Sequence, residues 1–127
     1  MKYVLVTGSS TGIGYSAVKN LLSSGYSVFG SVRNNKDSER LKSDFGDSFT
    51  PLIFDVTNEN AIEESVRVVQ SRMGVDDRLV ALVNNSGIAL GGPIQHTPTD
   101  VFRKQFEVNL FGVVSVTRAY LKLLGAQ

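Results

Sequence analysis

Short apolar runs alternate with stretches of helical period along this chain, and that alternation limits its folds more than any other feature. The runs cover residues 3–6, 27–32, 49–54 and 79–83. Each is short and rich in apolar residues, as expected of a strand covered on both faces. Between them, Ile13, Ala17 and Leu21 recur every four residues, and Ile62, Val66, Val69 and Met73 form a second stripe of helical spacing. Gly25 stops the first helix. A polar helix is expected around 38–45 with Asp37 as its cap. Pro51 lies near the start of the third run, where a missing N–H does least harm. A loop rich in glycine and proline at 87–98 precedes a long helix over about 99–124. This order predicts βαβ units with right-handed crossovers around a parallel sheet.

The chain has 127 residues, 42% of them hydrophobic, which suits one domain over 1–127 with one sizeable core. Thirteen basic residues against 12 acidic ones give a net charge of +1, so nothing in the charge balance calls for a nucleic-acid or anionic-membrane partner. With no cysteine and a single histidine, His96, neither a disulfide nor a thiolate or histidine metal cluster is expected. No apolar stretch approaches the ~18 residues of a membrane span, and residues 1–6 do not read as a signal peptide. A soluble, cytoplasmic protein is expected.

The turn between the first run and the first helix reads Thr7-Gly8-Ser9-Ser10-Thr11-Gly12-Ile13-Gly14. A pyrophosphate needs close backbone approach and free N–H groups at a helix N-terminus. Gly8 permits a sharp exit from the strand, Gly12 lets backbone come near phosphate, and Gly14 lets the helix pack on the sheet. Ser10 and Thr11 add hydroxyl donors. A plain strand-to-helix turn is the competing reading, disfavoured because the strand before and the helix after are both present. A P-loop is excluded, since no Gly-Lys-Ser/Thr follows. Forcing the ordinary dinucleotide fingerprint onto Gly12, Gly14 and Ala17 would leave 9–11 as the strand end.

Thr-Gly-x-x-x-Gly-x-Gly, followed by Asp55-Val56-Thr57, Asn84-Asn85-Ser86-Gly87 and Asn109-Leu110-Phe111-Gly112, resembles the classical short-chain dehydrogenase/reductases in order and spacing. The likeness covers essentially the whole chain. Ser86 departs from the alanine usual in the family. The resemblance implies a Rossmann-type, doubly wound sheet of strand order 3-2-1-4, with residues 1–112 as a nucleotide-binding half-domain and further strands of the full fold beyond residue 127. It also implies that Asp55, with Val56, meets the adenine, and that the 84–87 segment, with Asn85, Ser86 and Gly87, lies along the adenine ribose. From the residues alone, Asp55 and Asn84 are expected at the carboxyl ends of adjacent strands, although Asp and Asn also suit ordinary strand-exit turns.

Arg33 follows the second run, where an NAD-preferring site would carry a carboxylate. Arg can take a 2′-phosphate through paired hydrogen bonds, so NADP(H) is favoured over NAD(H), the alternative being a solvated charge. The family's chemistry uses a tyrosine proton donor, a lysine that lowers its pKa, a serine and an asparagine. Asn109 matches the asparagine, although a locally bonded helix residue is the plainer reading. The other three are expected beyond residue 127, so the chain alone is expected to be inactive. Tyr15 and Lys19 have the tyrosine–lysine spacing but lie on the helix at the phosphate end, and are rejected.

Phe102, Phe106, Leu110, Val113 and Leu121, with Phe111 and Val114, make the long helix apolar around much of its girth. Burial in the core is expected to explain most of that stripe; the family likeness adds a homo-oligomer interface. His96 is expected in a solvated loop, with a place at a substrate mouth as the alternative. The parent function is expected to be NADP(H)-dependent interconversion of an alcohol and a carbonyl. The chain would then be a piece of a working reductase, a non-catalytic nucleotide sensor, or a non-binding remnant, the last disfavoured by the intact glycine turn. Its end at 123–127, in a loop toward a fifth strand, favours the first.

Overall fold

The computed structural model describes residues 1–125. Four parallel strands, β1 (Lys2–Val6), β2 (Ser27–Val32), β3 (Phe49–Ile53) and β4 (Arg78–Val83), form one sheet in the order β3-β2-β1-β4. They are joined by α1 (Gly12–Ser23), α2 (Asn35–Phe45) and α3 (Glu59–Arg72). After β4 the chain makes a short 3₁₀ turn at Ile94–His96, then α4 (Thr99–Phe106), a π-helical stretch at Glu107–Phe111, and α5 (Gly112–Tyr120).

The central strands are apolar because both their faces are covered. Tyr3 and Leu5 of β1 pack with Phe29 and Leu52 against Ile62 and Val69 of α3 and Val116 and Tyr120 of α5. Val4 and Val6 point the other way, joining Val28, Val32 and Phe49 against Val18 of α1 and Leu41 of α2. This is the period-2 alternation of a strand, read on two buried faces at once. Burial of each such side chain contributes about 1.5–3 kcal/mol. Tyr120 carries its hydroxyl into one of these cores, 2.7 Å from the Ser65 hydroxyl. Burial pushes its pKa up to about 12, with the Ser65 hydrogen bond opposing.

Several expectations are corrected. The cap of α2 is Asn34, whose side chain accepts from the Asp37 N–H, so the helix starts at Asn35 and Asp37 lies in its first turn. On α1 the buried positions are Gly14 and Val18; of the 13/17/21 stripe Leu21 packs against the core, while Ile13 is 82% exposed. Asp55 and Asn84 do not follow adjacent strands: β3 and β4 are the outer strands of the sheet, with β2 and β1 between them. The helix expected over 99–124 runs on continuously but widens into a π-helical turn at Glu107–Phe111, and α5 ends at Tyr120. Its apolar stripe is not core. Phe102, Phe106, Leu110, Phe111, Val114 and Leu121 are exposed, and Gly112, Val116 and Tyr120 are the buried positions. Hydrophobicity reports that a surface wants a neighbour without saying which one.

Among the described residues, no helix is long and apolar enough to cross a membrane, and no group of acidic or histidine side chains could hold a metal ion.

Candidate functional site

The exits of β1, β2, β3 and β4 meet around a cleft of about 250 Å³. Gly8, Ser10, Thr11, Arg33, Asp55, Val56, Asn85, Ser86 and Gly87 all line it, together with Ser31, Val32, Phe54, Ile88 and Val108. Gly12, Ile13 and Gly14 stand just outside, in the first turn of α1. The carboxyl edge of a parallel sheet, at the point where strand order reverses, is the usual ligand position in such folds. β1 lies at that reversal.

Three long-range connections hold the glycine turn. Thr7 Oγ1 accepts the backbone N–H groups of Asn85 and Ser86, each at 2.9 Å. Asn85 Nδ2 donates back to the carbonyls of Thr7 (3.1 Å) and Gly8 (3.0 Å). The β4 exit is thus sewn to the β1 exit, and the Asn85 amide is spent on the turn itself. On the other side, Gly8 N–H donates to Ser31 Oγ at 3.0 Å and Ser9 N–H to the Ser31 carbonyl at 2.9 Å. From α2, Arg40 donates to the Ser10 carbonyl at 2.6 Å. Sequence reading assigns no role to Ser31 or Arg40. Thr7 stands in the motif, but its hydroxyl role emerges only with the contact.

α1 starts without a side-chain cap. Thr11, at φ −151°, makes no capping hydrogen bond, so the first-turn N–H groups, which lack intrahelical partners, remain available. Gly12 has φ +58°, and a Cβ there would meet nothing within 4 Å; the space beside it is open. Gly14 is the opposite case. An added Cβ would run into the Gly8 carbonyl and the Asn85 amide. Its smallness lets α1 press on the turn, a nearer neighbour than the sheet expected from sequence.

Asp55 follows β3 and accepts from the Thr57 hydroxyl (2.7 Å) and the Thr57 N–H (2.9 Å), both on Oδ1. These bonds, with a smaller contribution from Arg33, hold its carboxyl below the usual carboxylate range against a desolvation that raises it. Arg33 carries no ion pair of its own among the described residues. The cleft therefore presents a cation beside a carboxylate whose partners are already arranged.

Asn109 sits in the π-helical stretch, a deviation often found at functional sites. Its Oδ1 accepts the Ile88 N–H at 2.8 Å and its Nδ2 donates to the Ile88 carbonyl at 2.7 Å. One side chain thus satisfies both backbone groups of a residue that lines the cleft. Its bonds are not local to the helix; they cross 21 residues. Asn84 turns away and donates to Thr117 Oγ1 at 3.0 Å. The Tyr15 hydroxyl donates to Asp44 at 3.3 Å and its ring packs on Phe45, in a hollow shared with Lys19 between α1 and α2. That pair is away from the cleft. His96 lies on the exposed 3₁₀ turn after β4.

The sequence matches the short chain dehydrogenase family over residues 2–127. It is 41% identical over 126 residues to an NADPH-dependent 3-dehydrocapnine reductase of Ornithobacterium rhinotracheale, covering 99% of this chain and 44% of that protein. The fold is similar to a short-chain dehydrogenase from Streptomyces avermitilis, with a TM-score of 0.86 and 31% identity over 96% of this chain and 44% of the other. It is also similar to the closed form of serine dehydrogenase complexed with NADP+, with a TM-score of 0.83 and 30% identity over 94% of this chain and 48% of that one. The chain spans less than half the length of each of these proteins. With a parallel β3-β2-β1-β4 sheet and a glycine turn at its reversal point, it belongs to the short-chain dehydrogenase/reductase family.

Proposed function

We propose that this chain is the nucleotide-holding part of an NADP(H)-dependent oxidoreductase acting on an alcohol and carbonyl pair. The observation that carries the reading is the uncapped, glycine-lined start of α1, set beside the cleft that Arg33 and Asp55 line. The donor set fits such a ligand. Free N–H groups of Gly12, Ile13 and Gly14, with Gly8 and the hydroxyls of Ser10 and Thr11, suit a pyrophosphate. Arg33 suits a 2′-phosphate. Asp55 keeps Oδ2 for the adenine amino group, with Val56 against the ring, and the Asn85–Ser86–Gly87 backbone suits the ribose. A bound NADP(H) would supply or accept the hydride.

Asn109 fixes the Ile88 backbone beside that ligand. No residue of this chain other than Asn109 stands in a catalytic position of the family, so the chain alone binds and orients without a proton donor for a carbonyl oxygen. Two similar proteins support the NADP(H) preference: the reductase is NADPH-dependent, and the serine dehydrogenase was solved with NADP+. The apolar residues left exposed on α4 and α5 suit contact with further protein, a second copy in particular.

Titration calorimetry with NADPH and NADH tests the reading. Wild-type protein is expected to bind NADPH more tightly by about ten- to a hundredfold, the equivalent of about 1.5–3 kcal/mol for charge-assisted hydrogen bonds. Arg33→Asp is expected to remove or reverse that ratio. Equal binding of both nucleotides by the wild type, or an unchanged ratio in the variant, would contradict it.

A further inference from the structure

We propose that Arg40 is a positioning residue for the nucleotide, holding the glycine turn from α2. The inference rests on the reading of the cleft as a nucleotide site. Arg40 Nη2 donates to the Ser10 carbonyl oxygen at 2.6 Å, tying α2 to the turn across 30 residues of sequence. The same nitrogen meets Asp37 Oδ1 at 3.1 Å, and Nη1 lies 3.7 Å from Asp44 Oδ2. Asp37 is itself held, since Asn34 Nδ2 donates to its other oxygen at 3.0 Å. Asp44 also accepts from the Tyr15 hydroxyl of α1 at 3.3 Å. The guanidinium is therefore braced from two sides while it grips one peptide of the turn.

The direction of that peptide matters. A trans peptide points its C=O and N–H in opposite directions. With the Ser10 carbonyl drawn toward α2, the Thr11 N–H is turned away from α2. Ser10 and Thr11 line the cleft and Arg40 does not. Arg40 thus orients a backbone donor of the turn without touching the ligand. Its two carboxylate partners neutralise it, which distinguishes it from Arg33, the cation that lines the cleft without an ion pair among the described residues. The chain Asn34–Asp37–Arg40–Ser10 also links the exit of β2, where Arg33 sits, to the exit of β1. A fixed spacing between the two phosphate positions follows.

The test compares Arg40→Met, which keeps the length of the stem, and Arg40→Lys with wild type, using NADPH and NADH as probes. Arg40→Met is expected to weaken both nucleotides by a similar factor, about tenfold, leaving their ratio unchanged, because the turn serves the pyrophosphate common to both. Arg40→Lys, which restores one donor, is expected to recover part of the loss. Without nucleotide, the Thr11 and Gly12 amide resonances of Arg40→Met are expected to shift and exchange faster, while those of α3 stay in place. Loss confined to NADPH would make Arg40 a phosphate ligand and overturn the inference. Unchanged affinities beside a binding wild type, or unmoved Thr11 and Gly12 amides, would overturn it alone. A wild type that binds neither nucleotide would overturn the nucleotide reading and this inference with it.

Discussion

α1 and α3 both begin at the carboxyl edge of the sheet, one after β1 and the other after β3, and they begin in different chemical states. Before α3, Asp55 accepts twice from Thr57, and Asn58 caps the helix by accepting the Ala61 N–H at 3.0 Å. The Ala61 N–H and one oxygen of Asp55 are thus taken by the segment's own residues. Before α1, Thr11 caps nothing, Gly12 faces open space, and the surrounding side chains hold the turn's outer surface through Thr7, Ser31, Asn85 and Arg40. One start is closed by itself; the other is braced from behind and open in front. A missing cap does not make this difference by itself. α4 also starts without one, at Pro98, and none of its residues lines the cleft. What marks α1 is free donors, absent Cβ atoms and a rigid backing at one place.

The comparison breaks first at Gly12. Gly12→Val puts a branched side chain at φ +58° into the space beside the free donors. A left-handed conformation costs such a residue about 1–2 kcal/mol. Nucleotide affinity is expected to fall by about a hundredfold or more, from that strain together with the blocked approach to the donors. The far-ultraviolet circular dichroism is expected to stay native, because a Cβ there touches nothing in the protein. Retained affinity in a folded variant would show that α1 does not receive the phosphates.

Stability separates the two helix starts next. Asn58→Ala removes a working cap and is expected to cost about 1 kcal/mol, within the 0.5–2 range for such losses. Thr11→Ala is expected to stay within about 0.5 kcal/mol of wild type, since no capping bond is lost. Urea unfolding of both variants reads the difference. Equal losses would mean that α1 is capped after all.

The smallest effect is in acid. Asp55 has its pKa lowered in the fold, chiefly by the Thr57 hydroxyl and N–H. It therefore contributes stability above its unfolded pKa of about 3.9, and that contribution is lost as pH falls through the lower folded value. The 7–14 turn contains no titratable side chain. Asp55→Asn is expected to flatten the acid limb of stability slightly, as followed by thermal unfolding below pH 5. A limb identical to wild type would remove Asp55 from the account.

How much of this was legible beforehand depends on the range of the interaction. The strands were legible because Tyr3–Val6 and Ser27–Val32 alternate between two buried faces, and a run apolar on both faces has few other uses. The glycine turn was legible because its motif is local. The capping of α2 was not, since Asn34, Asn35 and Asp37 are all acceptable caps within one turn, and only the backbone selects Asn34. The bonds of Asn109 to the Ile88 backbone were hidden because they cross 21 residues of chain. Arg40 carries no sequence signal at all; an arginine beside two aspartates on a helix reads as a surface ion pair.

The central claim is that nucleotide phosphate is received by the open start of α1 and not by the closed start of α3. Amide chemical-shift mapping of the ¹⁵N-labelled protein during titration with NADPH tests it most directly. The account expects saturable shifts at Gly12, Ile13 and Gly14 and at Ser86 and Gly87, with Asn60 and Ala61 unmoved. Shifts centred on the start of α3, or NADPH binding that leaves the Gly12–Gly14 amides in place, would contradict it.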